Sequence, residues 1–109
     1  MPELKDVMER LITFRDERDW AQFHNSKDLA IAISIEAAEL NEAFLWKQSE
    51  AVDTAKVKEE LADVLSFAFL LAHKHGWDIP QLVLDKIEQN EAKYPADKAR
   101  GTAKKYNEL

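Results

Sequence analysis

Two long helical runs without a polar side dominate this chain, and each carries a pair of acids where apolar residues are expected. From Leu29 to Leu45 nearly every helical side is apolar, yet Glu36 and Glu39 sit within the run. From Leu61 to Ala72 the same holds, with Glu60 and Asp63 at its entry. A helix that is apolar all round must be covered all round. Carboxylates close to an apolar face are costly unless something positive neutralises them. The i, i+3 spacing puts both members of each pair on one helix face, a turn apart. Two consecutive helices so marked can aim all four carboxylates at one point.

The chain has 109 residues, the length of one domain. Only 2 Gly and 3 Pro interrupt it, which predicts long unbroken helices and an all-α fold. The first helix is expected over 2–18, with Pro2 tolerated in its first turn. A non-helical stretch over 19–26 follows. The second helix, capped by Asn25 or Ser26, runs to about Lys47. After a polar loop over 48–53, Asp53 or Thr54 caps the third helix, and Gly76 ends it. Asp78 caps the fourth, with Pro80 in its first turn and a stop at Tyr94–Pro95. The tail, 96–109, is basic and weakly patterned. Two flanking helices cannot cover two that are apolar all round. The pattern therefore predicts a four-helix-bundle-like protomer in an oligomer whose central helices pack together, most simply a two-fold dimer.

The net charge of −6 disfavours binding to the backbone of a nucleic-acid polymer. It is compatible with a small phosphorylated ligand that arrives with its own metal. No cysteine is present, so neither disulfides nor zinc thiolate sites can form, which suits a reducing cytoplasm. The start of the chain, charged at Glu3, Lys5 and Asp6, has no signal-peptide character. The longest apolar stretch, 64–72, includes Ser66 and is too short to span a bilayer.

Glu36, Glu39, Glu60 and Asp63 form an all-oxygen set, which favours Mg²⁺, with Mn²⁺ as a substitute. The plain alternative is solvated surface charge, but the neighbours are Ser34, Ile35, Ala37, Ala38, Leu61, Ala62, Val64 and Leu65 rather than lysines and arginines. A di-iron bundle would need Glu-x-x-His. Glu42 and Ser66 stand where those imidazoles would be, and His24, His73 and His75 lie elsewhere. Glu42 extends the acidic stripe by a turn, whereas Glu59 points about 100° away from Glu60 and reads as solvated. A second signal is basic. Lys86, Asn90, Lys93 and Tyr94 follow helical spacing, Arg100, Lys104 and Lys105 lie in the tail, and Lys27 starts the second helix. Singly each reads as a solvated polar group at a helix end; together they can hold phosphates. The third signal is aromatic: Trp20, Phe23, His24 and Trp46 sit at helix boundaries, where they either plug a bundle end or form a slot for a nucleobase. His73, His75 and Trp77 read as structural.

Taken together, these residues resemble the MazG-like, all-α nucleoside triphosphate pyrophosphohydrolases, and within them the single-domain branch that includes dCTP pyrophosphatase. The resemblance covers about Leu11 to Leu109. It is carried by Glu17-Arg-Asp-Trp-x-x-Phe-His24, Glu36-x-x-Glu39, Phe44-x-Trp46-Lys47, Glu59-Glu-Leu-x-Asp-Val-Leu65, Lys86-x-x-x-Asn90-x-x-Lys-Tyr-Pro95 and Arg100-Gly-x-x-x-Lys-Tyr106. It implies cleavage between the α and β phosphates of a nucleoside triphosphate, with water attacking and pyrophosphate leaving. It also implies Mg²⁺ at Glu36, Glu39, Glu60 and Asp63. Lys86, Asn90, Lys93, Tyr94, Arg100 and Lys105 would approach the phosphates, and Trp20, His24 and Trp46 would line the base and sugar pocket. Homo-oligomers with active sites built from more than one chain, and clearance of unwanted nucleotides, are further implications. The chain departs from the pattern at Lys93, where relatives often carry arginine, and at Leu11 and Phe67, where the vertebrate branch is more polar. Base and sugar stay open. The rival reading from the residues alone is a non-catalytic helical interaction module, its carboxylates holding a structural ion or a basic partner.

Overall fold

Asn25, Asp53 and Asp78 each start a helix by offering a side-chain oxygen to an otherwise unpaired backbone N–H. Asn25 accepts from Asp28 N at 2.8 Å, Asp53 from Ala55 N at 3.0 Å, and Asp78 from Gln81 N at 3.0 Å. In the computed structural model, which describes residues 1–48 and 51–109, the helices are α1 (Leu4–Glu17), α2 (Ser26–Glu42), α3 (Thr54–Lys74), α4 (Ile79–Lys93) and α5 (Ala96–Ala99). No strand occurs among the described residues. The loop expected over 48–53 lies partly outside them. A reciprocal pairing of Glu3 and Asp6 opens α1. Gly76 follows α3 at φ 70°, a left-handed conformation that favours glycine.

The chain divides into two units, Met1–Gly76 and Trp77–Leu109. In the first, α2 lies along α3, and α1 touches α3. The two long helices run antiparallel: Ser26 at the start of α2 meets His75 at the end of α3, with Oγ and Nε2 2.9 Å apart. Leu29, Leu70 and Ala72 form the buried apolar core of this unit. That core is small, and many apolar side chains of α2 and α3 stay about half exposed, among them Ile31, Ile35, Leu61 and Leu65. The second unit holds α4, α5 and a 3₁₀ turn at Tyr106–Glu108.

Two expectations need correction. First, α2 stops at Glu42 rather than near Lys47. Beyond it, Ala43, Phe44, Leu45 and Lys47 each donate to a carbonyl three residues back, a tighter turn that ends in Trp46 at φ 65°. Aromatic residues such as Phe44 and Trp46 also support a helix less well than the alanines and leucines before them. Second, 19–26 is not wholly non-helical: a 3₁₀ turn occupies Ala21–Phe23. The weakly patterned tail contains two short ordered elements, α5 and the 3₁₀ turn.

Candidate metal centre

Antiparallel packing brings the middle of α2 beside the first turns of α3, and there the acids meet. Single carboxylate oxygens of Glu36, Glu60 and Asp63 all lie within 4.8 Å of one another. Their surroundings grade from buried to open: Glu60 is 5% exposed, Glu36 is half-buried and Asp63 is exposed. Glu60 is the buried charged residue of the described structure. Glu36 Oε2 and Glu60 Oε2 are buried without a hydrogen-bond partner. Buried carboxylate oxygens left unpaired are costly, so such atoms call for a cation or a donor. Three converging oxygens with two of that kind fit a hard divalent ion.

Glu39 stands outside that trio but touches it. A protonated Glu39 can donate to Glu36, and this, with the negative charge of Glu36 and helped by burial, pushes its pKa from 4.5 up to about 7, Glu60 acting in the same sense. Glu60 moves the other way. Lys56 Nζ lies 2.7 Å from Glu60 Oε1, and this bond holds the Glu60 carboxyl below its ordinary value against the opposing effect of burial. The same contact raises the pKa of Lys56. Ser66, near the acids, donates its hydroxyl to Ala62 O at 2.8 Å, one turn back, so that group is committed to the helix backbone.

The remaining sequence candidates fall in separate places. His24 packs edge-on against Phe67 of α3, ring centres 6.3 Å apart, and its Nδ1 is buried without a partner. Burial, with the nearby charge of Arg15, keeps that imidazole below its ordinary pKa. It lines a cavity of about 240 Å³ with Arg15, Ala21, Leu29, Leu70, His73 and Lys74. Trp20 stacks edge-on against Phe14 at 5.7 Å, and Trp46 is 95% exposed. Lys27 is exposed in the first turn of α2. In the second unit, Lys93 Nζ lies 5.2 Å from the centre of the Tyr106 ring, which also meets Tyr94 edge-on at 6.2 Å. Lys86 bonds Gln89 Oε1 at 3.4 Å, the Asn90 carbonyl accepts from Tyr94 N, and Arg100 and Lys105 flank short elements.

The model of the MazG-like family matches residues 31–109, a span holding all four acids. The chain belongs to the MazG-like family. Curated relatives include dCTP pyrophosphatase 1 of Bos taurus, 38% identical over 99% of this chain and 69% of its own length. The human protein of the same name is also 38% identical, over 99% of this chain and 68% of its length. Among solved structures, a pyrophosphatase from Archaeoglobus fulgidus superposes with a TM-score of 0.80 at 36% identity, over 87% of this chain and 94% of its own. In this MazG-like chain the acids expected from spacing do converge, three closely and Glu39 beside them. Lys56 escaped the sequence reading. Its only signal is its position four residues before Glu60, and that is an ordinary surface pairing until Glu60 is known to be buried. No helix among the described residues is long and apolar enough to cross a membrane.

Proposed function

We propose that this chain, a nucleoside triphosphate pyrophosphohydrolase by its family and relatives, holds Mg²⁺ on the α2–α3 carboxylates and hydrolyses a dCTP-like triphosphate to the monophosphate and pyrophosphate. The observation that carries this is the convergence of Glu36, Glu60 and Asp63 with two buried, unpartnered oxygens. Its setting is a chain 38% identical to a dCTP pyrophosphatase. Glu36, Glu60 and Asp63 would hold the ion. Glu39, electrostatically coupled to Glu36 and Glu60, would join them as the fourth carboxylate of the set. The ion, when bound, supplies charge stabilisation at the phosphate oxygens and lowers the pKa of water. The reaction needs no side-chain nucleophile, and the Ser66 hydroxyl is already engaged.

Lys86, Asn90, Lys93, Tyr94, Arg100 and Lys105 are assigned to the phosphates, and Lys27 joins them as a cation at the start of α2. Trp20, His24 and Trp46 are assigned to base and sugar. The family match spans both units, which supports reading 1–109 as one functional domain. Exposed apolar side chains on α2 and α3 support a homo-oligomer. The role is house-cleaning of the nucleotide pool, placed in the cytoplasm.

Incubation with dCTP and Mg²⁺ tests the reading directly. Formation of dCMP and pyrophosphate is expected, with no turnover in EDTA. Release of dCDP and phosphate, or turnover undiminished by EDTA, would overturn it.

A further inference from the structure

The cation already in contact with the carboxylate cluster belongs to the chain itself. Lys56 Nζ sits 2.7 Å from Glu60 Oε1, and Glu60 is the most deeply buried of the acids. The two ends of this pair differ: the Lys56 side chain is 55% exposed, whereas that of Glu60 is 7% exposed. The lysine therefore reaches inward from a solvated stem to neutralise a carboxylate that cannot move out to water. One oxygen of Glu60 is thereby satisfied and the other stays unpartnered. A divalent ion drawing on Glu60 would bring a second positive charge close to the ammonium. Two cations at one carboxylate repel, so the mobile one must give way.

We infer that Lys56 is a tethered counterion that a divalent metal must displace from Glu60, so that this lysine weakens metal binding while stabilising the metal-free fold. The inference rests on the metal reading above. A lysine is suited to being displaced, because its ammonium is a compact point charge on a flexible stem, unlike the fixed fork of arginine. Once displaced, it has Glu59 three residues on as another partner on the same helix, and the Glu59 charge already acts on it. Loading of the centre is then an exchange of one cation for another rather than simple occupation. Because the lysine end is solvated, the pair is a modest one, and its loss should tighten metal binding by about fivefold.

The test is Mn²⁺ binding to the full chain without nucleotide, followed by the electron paramagnetic resonance signal of the free ion, in wild type, Lys56→Gln and Lys58→Gln. Lys58→Gln removes the same charge from an exposed position of the same helix. Exposed charges without a direct contact interact weakly through solvent at physiological salt. Lys56→Gln is expected to bind about fivefold more tightly and Lys58→Gln to stay close to wild type. Melting adds an independent readout: Lys56→Gln should melt lower than wild type without metal and level with it at saturating Mn²⁺. Equal affinity in the two variants overturns the inference, as does weaker binding in Lys56→Gln, which would make the lysine an organiser of the site. If wild type binds no Mn²⁺ at all, the metal reading itself falls, and the inference with it.

Discussion

A carboxyl that titrates near neutrality ties metal uptake to protons. Glu39, pushed up to about 7 by its bond to Glu36 and the charge beside it, holds a proton over part of the physiological range. A metal competes with that proton, so Mg²⁺ affinity should rise between pH 6 and pH 8 and level off above. Calorimetric titration at several pH values checks this, and Glu39→Gln should flatten the profile. The metal-free stability must run the opposite way. Between 4.5 and about 7 the folded chain binds a proton at Glu39 that the unfolded chain has lost, so this group's contribution fades as pH rises through about 7. Glu60, held low by Lys56, contributes in the reverse sense, losing its share only as pH falls through its depressed pKa. Metal-free protein should therefore melt lower at pH 8 than at pH 6, and saturating Mg²⁺ should erase the difference. Glu36 allows a cleaner separation of chemistry from folding. Glu36→Gln keeps the shape and removes a charge with a buried unpartnered oxygen. Its kcat/KM should fall by more than the roughly 10–100-fold typical of a lost outer partner of a metal ligand, with metal-free melting unchanged or higher. Retained turnover would remove Glu36 from the site.

At the scale of the helix, α3 carries Lys56, Glu60 and Asp63 within its first three turns, so its start sets their register. Asp53 fixes that start by accepting from Ala55 N and Lys56 N, at 3.0 and 3.4 Å. Asp53→Ala should cost about 1 kcal/mol of stability in denaturant unfolding. It should also weaken Mg²⁺ binding, because a fraying first turn loosens the register that holds Glu60 and Asp63 opposite Glu36. The same element shows what a sequence can disclose. Asp78 was legible as a cap, and Asn25 and Asp53 as one of two adjacent candidates each, because a cap depends on residues two or three apart. Glu36 with Glu39 and Glu60 with Asp63 were legible as faces because helical spacing is equally local. The end of α2 was not legible, since nothing at Ala43 breaks a helix and the change to a tighter turn builds up over Phe44 to Trp46. Nor was the division of labour among the acids. Spacing treats the four alike, whereas packing buries Glu60, leaves Asp63 exposed and turns Glu39 toward its neighbours. Lys56 was invisible for the same reason, because a lysine on a polar turn acquires meaning only when its partner proves to be buried.

For the molecule as a whole, the decisive fact is how little of the apolar surface one chain covers. Among the described residues three apolar side chains are buried, Leu29, Leu70 and Ala72, while Ile31, Ile35, Leu61 and Leu65 on the two long helices stay between 44% and 53% exposed. Monomeric proteins rarely present contiguous apolar patches of more than a few hundred Å². A stable interface buries about 1,600 Å² in total, which half-exposed side chains along α2 and α3 can supply in large part. The sequence pattern points the same way, since helices apolar all round need more neighbours than two flanking helices provide. Light scattering coupled to size exclusion should therefore report a multiple of the 12.6 kDa chain, stable on dilution to low micromolar concentration. Ile31→Glu places a charge in that surface more than one turn from Glu36, and it should shift the population toward smaller species. Circular dichroism decides whether the helices survive the change. If oligomer contacts take the place of core contacts, the smaller species should also melt lower, and its melting should depend on concentration in the variant more than in wild type. A wild-type mass of 12.6 kDa at every concentration would mean that a single chain tolerates this exposed surface, and the oligomer reading would have to be abandoned.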